Sequence, residues 1–193
     1  MLKNHCLAAI LCGALLAGYM PGAEAGNQGN DPVGTWLVQV SFPEASSGAP
    51  PAPPPFMEFL TFHAKGTLTE TNSSLHANPV PFAPLNITGS TGFGAWERAE
   101  KGRVRFSFLK MVFCGPDFDA TTDRATAELG CGIPGQQLGY LRVRAEATLR
   151  GDVYTGGESF VDLLVGPDPD APFFTVKFGP AASAGKRIVV QAP

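Results

Sequence analysis

No apolar run in this 193-residue chain approaches the roughly 20 residues that a helix needs to cross a bilayer. The longest, Cys6 to Ala17, is about 12 residues, so no membrane span is expected. An excess of positive charge is also missing. Lys and Arg number 14 against 17 Asp and Glu, a net charge of −3, which leaves no basic field for nucleic acid and no basic face for anionic lipid. The chain has no G-x-S-x-G elbow, no H-E-x-x-H, no P-loop and no G-x-G-x-x-G ahead of a helix. Hydrolase, zincin and nucleotide-dependent chemistries lose their usual footing, and no cofactor is expected. No C-x-x-C and no Cys/His pairs at ligand spacing occur, so no metal site is expected either. Tyr (3) and Trp (2) are few beside 14 Phe, a balance that suits rings packed where no polar handle is needed.

Helical periodicity is absent too: no apolar pattern of period 3.6 lasts the 11 or more residues that would justify a helix. What the chain does contain starts with an export signal. Lys3 leads into Cys6–Ala17, and Ala23-Glu24-Ala25 follows as an A-x-A cleavage site, so residues 1–25 read as a signal peptide with the mature chain beginning at Gly26. Leu11 before Cys12 and His5 before Cys6 argue against lipidation, which favours a small residue at that place. A secreted or periplasmic location is expected. Cys114 and Cys131 remain after cleavage and, in an oxidising compartment, are expected to form a disulfide.

The mature chain is long enough for one domain with one core, here residues 34–193. Residues 26–33, GNQGNDPV, read as a flexible leader, and Gly34–Phe42 as a first strand. The stretch 43–56 carries six prolines, which remove donors and fix φ, so it reads as a stiff loop. Two strands flank Ala64-Lys65-Gly66, a long loop follows at 75–91, and a second hairpin turns at Glu100-Lys101-Gly102. In the strand at 138–150, Leu141, Val143, Ala145, Ala147 and Leu149 alternate with Arg142, Arg144, Glu146, Thr148 and Arg150, one face dry and the other wet. Beyond a turn at Gly151-Asp152 come VYTGGESFVDLLVG, then FFTVKFG, a PAASAG connector and a terminal KRIVVQ. Strands joined in sequence order by short turns predict an all-β fold, an antiparallel up-and-down β-barrel of about eight strands.

Three features resemble the calycin group, the lipocalins and their secreted bacterial relatives. Gly34-Thr35-Trp36 matches the G-x-W that opens their first strand; the loop 43–56 sits where they carry a loop across the mouth; and Arg187 stands near the end, where they place an arginine over that tryptophan. The chain departs from classical lipocalins in having no T-D-Y motif and no C-terminal helical pattern. The residues themselves give Trp36 the part of a plug, with Arg187 stacked on its indole.

An eight-stranded barrel is either filled by side chains or just wide enough for one small ligand. Phe59, Phe62, Trp96, Phe106, Phe108, Met111, Phe160 and Phe174 are the candidates for a ligand-lining wall, because such walls are largely apolar and aromatic. For acid–base chemistry the candidates are Glu158, Glu97 and His63, with His76 the other mature histidine and Glu58, Glu70 and Asp162 further carboxylates on strands. Strand carboxylates by default face solvent. The leading expectation is an exported barrel that binds a small apolar or amphipathic molecule. An isomerase or cyclase similar in kind to allene oxide cyclases is the alternative, and an interaction protein such as a protease inhibitor, acting through the leader, is the third.

Overall fold

A computed structural model describes residues 31–42, 54–72 and 85–189. The expected signal segment 1–25, most of the expected leader, the proline-rich stretch as far as residue 53, the 73–84 part of the second expected loop with His76, and the chain beyond residue 189 lie outside the described residues.

The strands are β1 (Gly34–Ser41), β2 (Phe56–Phe62), β3 (Thr67–Asn72), β4 (Ile87–Gly89), β5 (Gly92–Arg98), β6 (Arg103–Cys114), β7 (Gln137–Arg150), β8 (Val153–Val165) and β9 (Phe174–Arg187). Every pairing is antiparallel, and the order β6-β5-β3-β2-β1-β9-β8-β7 closes where β6 pairs with β7. β4 pairs with the end of β6 that β5 does not reach, Ile87 opposite Cys114 and Gly89 opposite Val112. β4 and β5 thus form one interrupted strand, pinned at the break by the Ser90 amide donating to the Met111 carbonyl and the Met111 amide donating to Ser90 Oγ. The result is an eight-stranded, up-and-down antiparallel barrel, as the alternation predicts.

Two hairpins use the same turn chemistry. Lys65 and Gly66 (φ 73° and 86°) and Lys101 and Gly102 (φ 60° and 74°) take left-handed conformations that glycine adopts freely. These turns lie at one end of the barrel, here called the turn end, together with Gly34 and the β7–β8 turn. The ends of β1, β3, β6 and β8 lie at the other, the loop end, with the connections 114–137 and 165–174.

Three local expectations change. A short helix, α1 (Arg124–Glu128), stands in the 114–137 connection, where five residues are too few to leave a periodic signal. β4 occupies part of the expected loop 75–91. Most consequentially, PAASAG is no connector: β9 runs unbroken from Phe174 to Arg187. Gly185 reflects space rather than a turn, because a side chain there would collide with the Leu37 carbonyl and Val38 of β1.

Inward side chains fill both ends. At the turn end Trp36, Leu60, Phe62, Leu68, Val104, Phe106, Leu149 and Tyr154 form one cluster. Phe62 meets Trp96 and Phe106 edge to face at 6.0 and 5.5 Å, the geometry that aromatic quadrupoles favour. Trp36 is fully buried, donates from Nε1 to the Pro32 carbonyl at 3.0 Å, and carries the Arg187 guanidinium 4.3 Å from its ring centre. Arg187 also donates to the carbonyls of Val33 (2.6 Å) and Asp31, so the expected stack is present and is tied to the chain ahead of β1. Asp31 is further held by Arg98 at 2.9 Å, so residues 31–33 of the expected leader are anchored.

At the loop end Leu85, Ile87, Val112, Phe118, Leu138 and Leu163 make a second cluster with Cys114 and Cys131, against which Ala125, Ala127 and Leu129 of the α1 region pack. Cys114 and Cys131 are disulfide-bonded, with Cα atoms 5.8 Å apart. The cysteine pair therefore fastens the α1 connection to the end of β6.

Candidate functional site

Between the two apolar clusters the barrel interior turns polar. Glu58 on β2, Glu70 and Asn72 on β3 and Lys110 on β6 all point inward and are buried. The register explains why they meet. Glu58 lies opposite Asn72, and Leu60 opposite Glu70, so the two carboxyls occupy neighbouring inward rows of adjacent strands. Lys110 shares the inward parity of Phe106, Phe108 and Val112.

Glu70 and Lys110 form an ion pair with no solvent exposure of either side chain, Nζ lying 2.9 Å from Oε2 and 3.3 Å from Oε1. Asn72 Nδ2 donates to Glu70 Oε1 at 2.7 Å, whereas Oε2 accepts no aligned hydrogen bond and is held by charge alone. Gly92 leaves room for this pair: a Cβ there would stand 2.7 Å from Glu70 Oε2 and 2.9 Å from the Phe108 ring.

Glu58 is different. It is 8% exposed, and its carboxyl has no hydrogen-bond or ion-pair partner among the described residues. It borders an interior cavity of about 40 Å³, space for about three water-sized groups. Val40, Phe56, Phe108, Leu141, Val143 and Val161 supply apolar walls; Asn72 and Ser159 are the other polar groups there. Phe42 and Phe56, with ring centres 6.4 Å apart, stand on its loop-end side. Burial, with repulsion from Glu70 added and partly offset by Lys110, pushes the Glu58 carboxyl up from 4.5 to about 8. Below that pH it is a neutral acid, able to donate a hydrogen bond into the cavity. Tyr154, whose hydroxyl lies 3.4 Å from Ser183 Oγ, is raised as well, by burial first and by Glu58 second.

The expected lining residues divide by side of the wall. Phe62, Trp96, Phe106 and Phe108 turn inward, but the first three pack on one another at the turn end and only Phe108 reaches the cavity. Phe59, Met111, Phe160 and Phe174 instead face outward, each more than 40% exposed. Strict alternation decides the first two: Phe59 cannot share a face with Leu60's neighbours Glu58 and Phe62, nor Met111 with Phe108. For β8 the cause is a bulge. Its pairing slips between Thr155 and Ser159, which turns Ser159 inward and leaves Glu158 and Phe160 outside although Tyr154 is inside. Glu97 and His63 are on the exposed surface too, where His63 Nε2 lies 3.1 Å from Thr69 Oγ1. None of the three acid–base candidates, Glu158, Glu97 and His63, reaches the interior.

A larger concavity, about 830 Å³, lies on the outer wall of β5 to β8 and includes Glu97, Glu158 and Phe160. Its three arginines are already paired: Arg103 with Glu146 at 2.9 Å, Arg105 with Glu97 and Glu146 at 3.1 and 3.0 Å, and Arg144 with Asp162 at 2.6 Å. A surface of satisfied ion pairs offers a ligand little. The smaller interior space, where a carboxyl stands unpartnered in an apolar chamber, is the better candidate.

No protein-family model matches the chain, and no curated protein matches it.

Proposed function

We propose that this protein is exported and that its barrel binds one small amphipathic molecule between the two apolar clusters. The observation that carries this reading is the Glu58 carboxyl, buried and unpartnered, on a cavity whose other walls are mostly apolar. A binding chamber has that composition: hydrophobic surface for the body of a ligand and a few convergent polar groups to orient its head. With about 40 Å³ already open, the head and the first atoms of the body enter without rearrangement, and anything larger displaces the Phe42 and Phe56 rings. A kinship with calycin barrels is supported by Trp36 and Arg187 stacking at the turn end. The cysteine pair and the signal-like start support export.

Native mass spectrometry of the protein taken from its own host is the test. One small adduct per chain is expected, and it is lost when Val143→Phe fills the cavity. If no adduct travels with the protein and short n-alcohols give no saturable thermal shift, the reading is wrong.

One observation favours a second reading, the isomerase or cyclase. A carboxyl poised near pH 8 in a largely apolar chamber can give and take a proton at neutral pH, which Glu158, Glu97 and His63 on the outside cannot do for an enclosed substrate. Under this reading Glu58→Gln abolishes turnover while the fold and the adduct survive.

A further inference from the structure

The charges inside the barrel do not balance. Two carboxyls, Glu58 and Glu70, face one ammonium, Lys110, and that ammonium is committed to Glu70 at 2.9 Å. Around Glu58 the inward titratable groups are Glu70 on β3, Lys110 on β6 and Tyr154 on β8, and Tyr154 adds no positive charge. Among the described residues the interior is therefore one cation short, and in the free protein a proton on Glu58 makes up the difference.

We propose that the molecule this barrel takes is a small alkylammonium, a primary or secondary amine in its charged form, with its N–H groups on the Glu58 carboxylate and its carbon chain toward Phe42, Phe56 and Phe108. This rests on the binding reading above and names the ligand class for the same site. Three features of the chamber select it. The unpartnered carboxyl needs a donor, and an ammonium supplies up to three. The aromatic rings on the cavity wall tolerate a cation and favour the methylenes beside it. An anion is repelled by both Glu58 and Glu70, while a purely apolar guest leaves the buried carboxyl unsatisfied.

The exchange balances simply. The protonated acid gives its proton to solvent as the ammonium arrives, and a carboxylate–ammonium pair replaces a neutral carboxylic acid. Because the Glu58 proton comes off at about pH 8 in the free protein, binding at pH 7 releases about 0.9 proton per amine. Affinity for the amine rises about tenfold from pH 6 to pH 7 and about fivefold from pH 7 to pH 8, and levels off above, since alkylamines stay charged there.

The experiment is calorimetric titration of the mature protein with n-alkylamines from ethylamine to hexylamine, set against n-alcohols of equal length, in buffers of different ionisation enthalpy at pH 6, 7, 8 and 9. The expected result is tighter binding of the amine than of its alcohol at every length, with proton release at pH 6 and 7 that vanishes at pH 9. In Glu58→Gln, whose neutral amide removes the charge but keeps the shape, the amine should lose its advantage and the alcohol keep its affinity. Alcohols that bind as well as amines, or amine binding without proton release, overturn the ammonium assignment and leave the binding chamber standing. No saturable binding of either series overturns both.

Discussion

Replacing Glu58 by Gln isolates the cost of keeping a carboxyl inside this barrel. In the folded chain the group gives up its proton at about pH 8, against 4.5 when exposed. Between those values the folded state holds one more proton than the unfolded state. Stability therefore falls as pH rises, by about 1.4 kcal/mol per pH unit, and the loss is complete above about pH 8. From pH 5 to pH 9 this amounts to about 4 kcal/mol from one side chain. The amide introduced by Glu58→Gln cannot ionise, so the variant lacks that slope, while the titrating groups outside its neighbourhood contribute equally to both proteins. Urea unfolding of the two proteins at pH 5, 7 and 9 gives the difference directly. The variant should match the parent within about 1 kcal/mol at pH 5, where both hold an uncharged group, and exceed it by about 4 kcal/mol at pH 9. Parallel pH profiles for the two proteins would refute the reasoning, because they would mean that Glu58 ionises as an exposed carboxyl does.

Lys110→Met leaves Glu70 charged and alone in the interior and should cost about 3 to 5 kcal/mol by denaturant unfolding; adding Glu70→Gln should recover most of it, and a single variant as stable as the parent would show that the pair is not buried. Arg187→Ala removes the cation from the Trp36 face and two hydrogen bonds to the carbonyls of Val33 and Asp31, for a loss of about 2 to 3 kcal/mol read as a lower Tm. An unchanged melting curve would count against the stack, and affinity at the distant cavity should stay as it was. Cys114→Ser with Cys131→Ser should lower stability by about 3 kcal/mol, the closure entropy for a separation of 17, with the midpoint in urea as the measure. A midpoint that does not move would mean that the α1 connection holds its place without the cross-link.

The barrel was legible because most strands keep a strict two-residue beat; β6 and β7 alternate along nearly their whole length. The site was less so, although its signal was in plain view. Glu58 shares its parity with Leu60 and Phe62, Glu70 with Leu68 and Asn72, and Lys110 with Phe106, Phe108 and Val112, each a charge in a row that holds large apolar residues. The expectation that a strand carboxylate faces water outweighed the register, and only the spatial meeting of three strands reveals that one charge is paired and another is not. The β8 bulge left no such signal. From Gly156 to Ser159 β8 takes three steps while β7 takes two, which inverts the side chains that follow, and nothing in TGGES says on which residue the slip occurs. Likewise the Ala, Ser and Gly of β9 carry a turn-like composition, whereas what requires glycine at 185 is the β1 backbone across the ladder.

The segregation of short turns and long connections to opposite ends of the cylinder has a consequence for how such a protein can change. Tight hairpins, the indole plug and its guanidinium lock the register from one rim, so every strand arrives at the opposite rim in a set phase. The connection between β8 and β9 on that opposite rim, which the disulfide does not close, can therefore be lengthened, shortened or exchanged without re-phasing the staves beneath it, which makes it the place where selection or an engineer can reshape the rim while the vessel keeps its form.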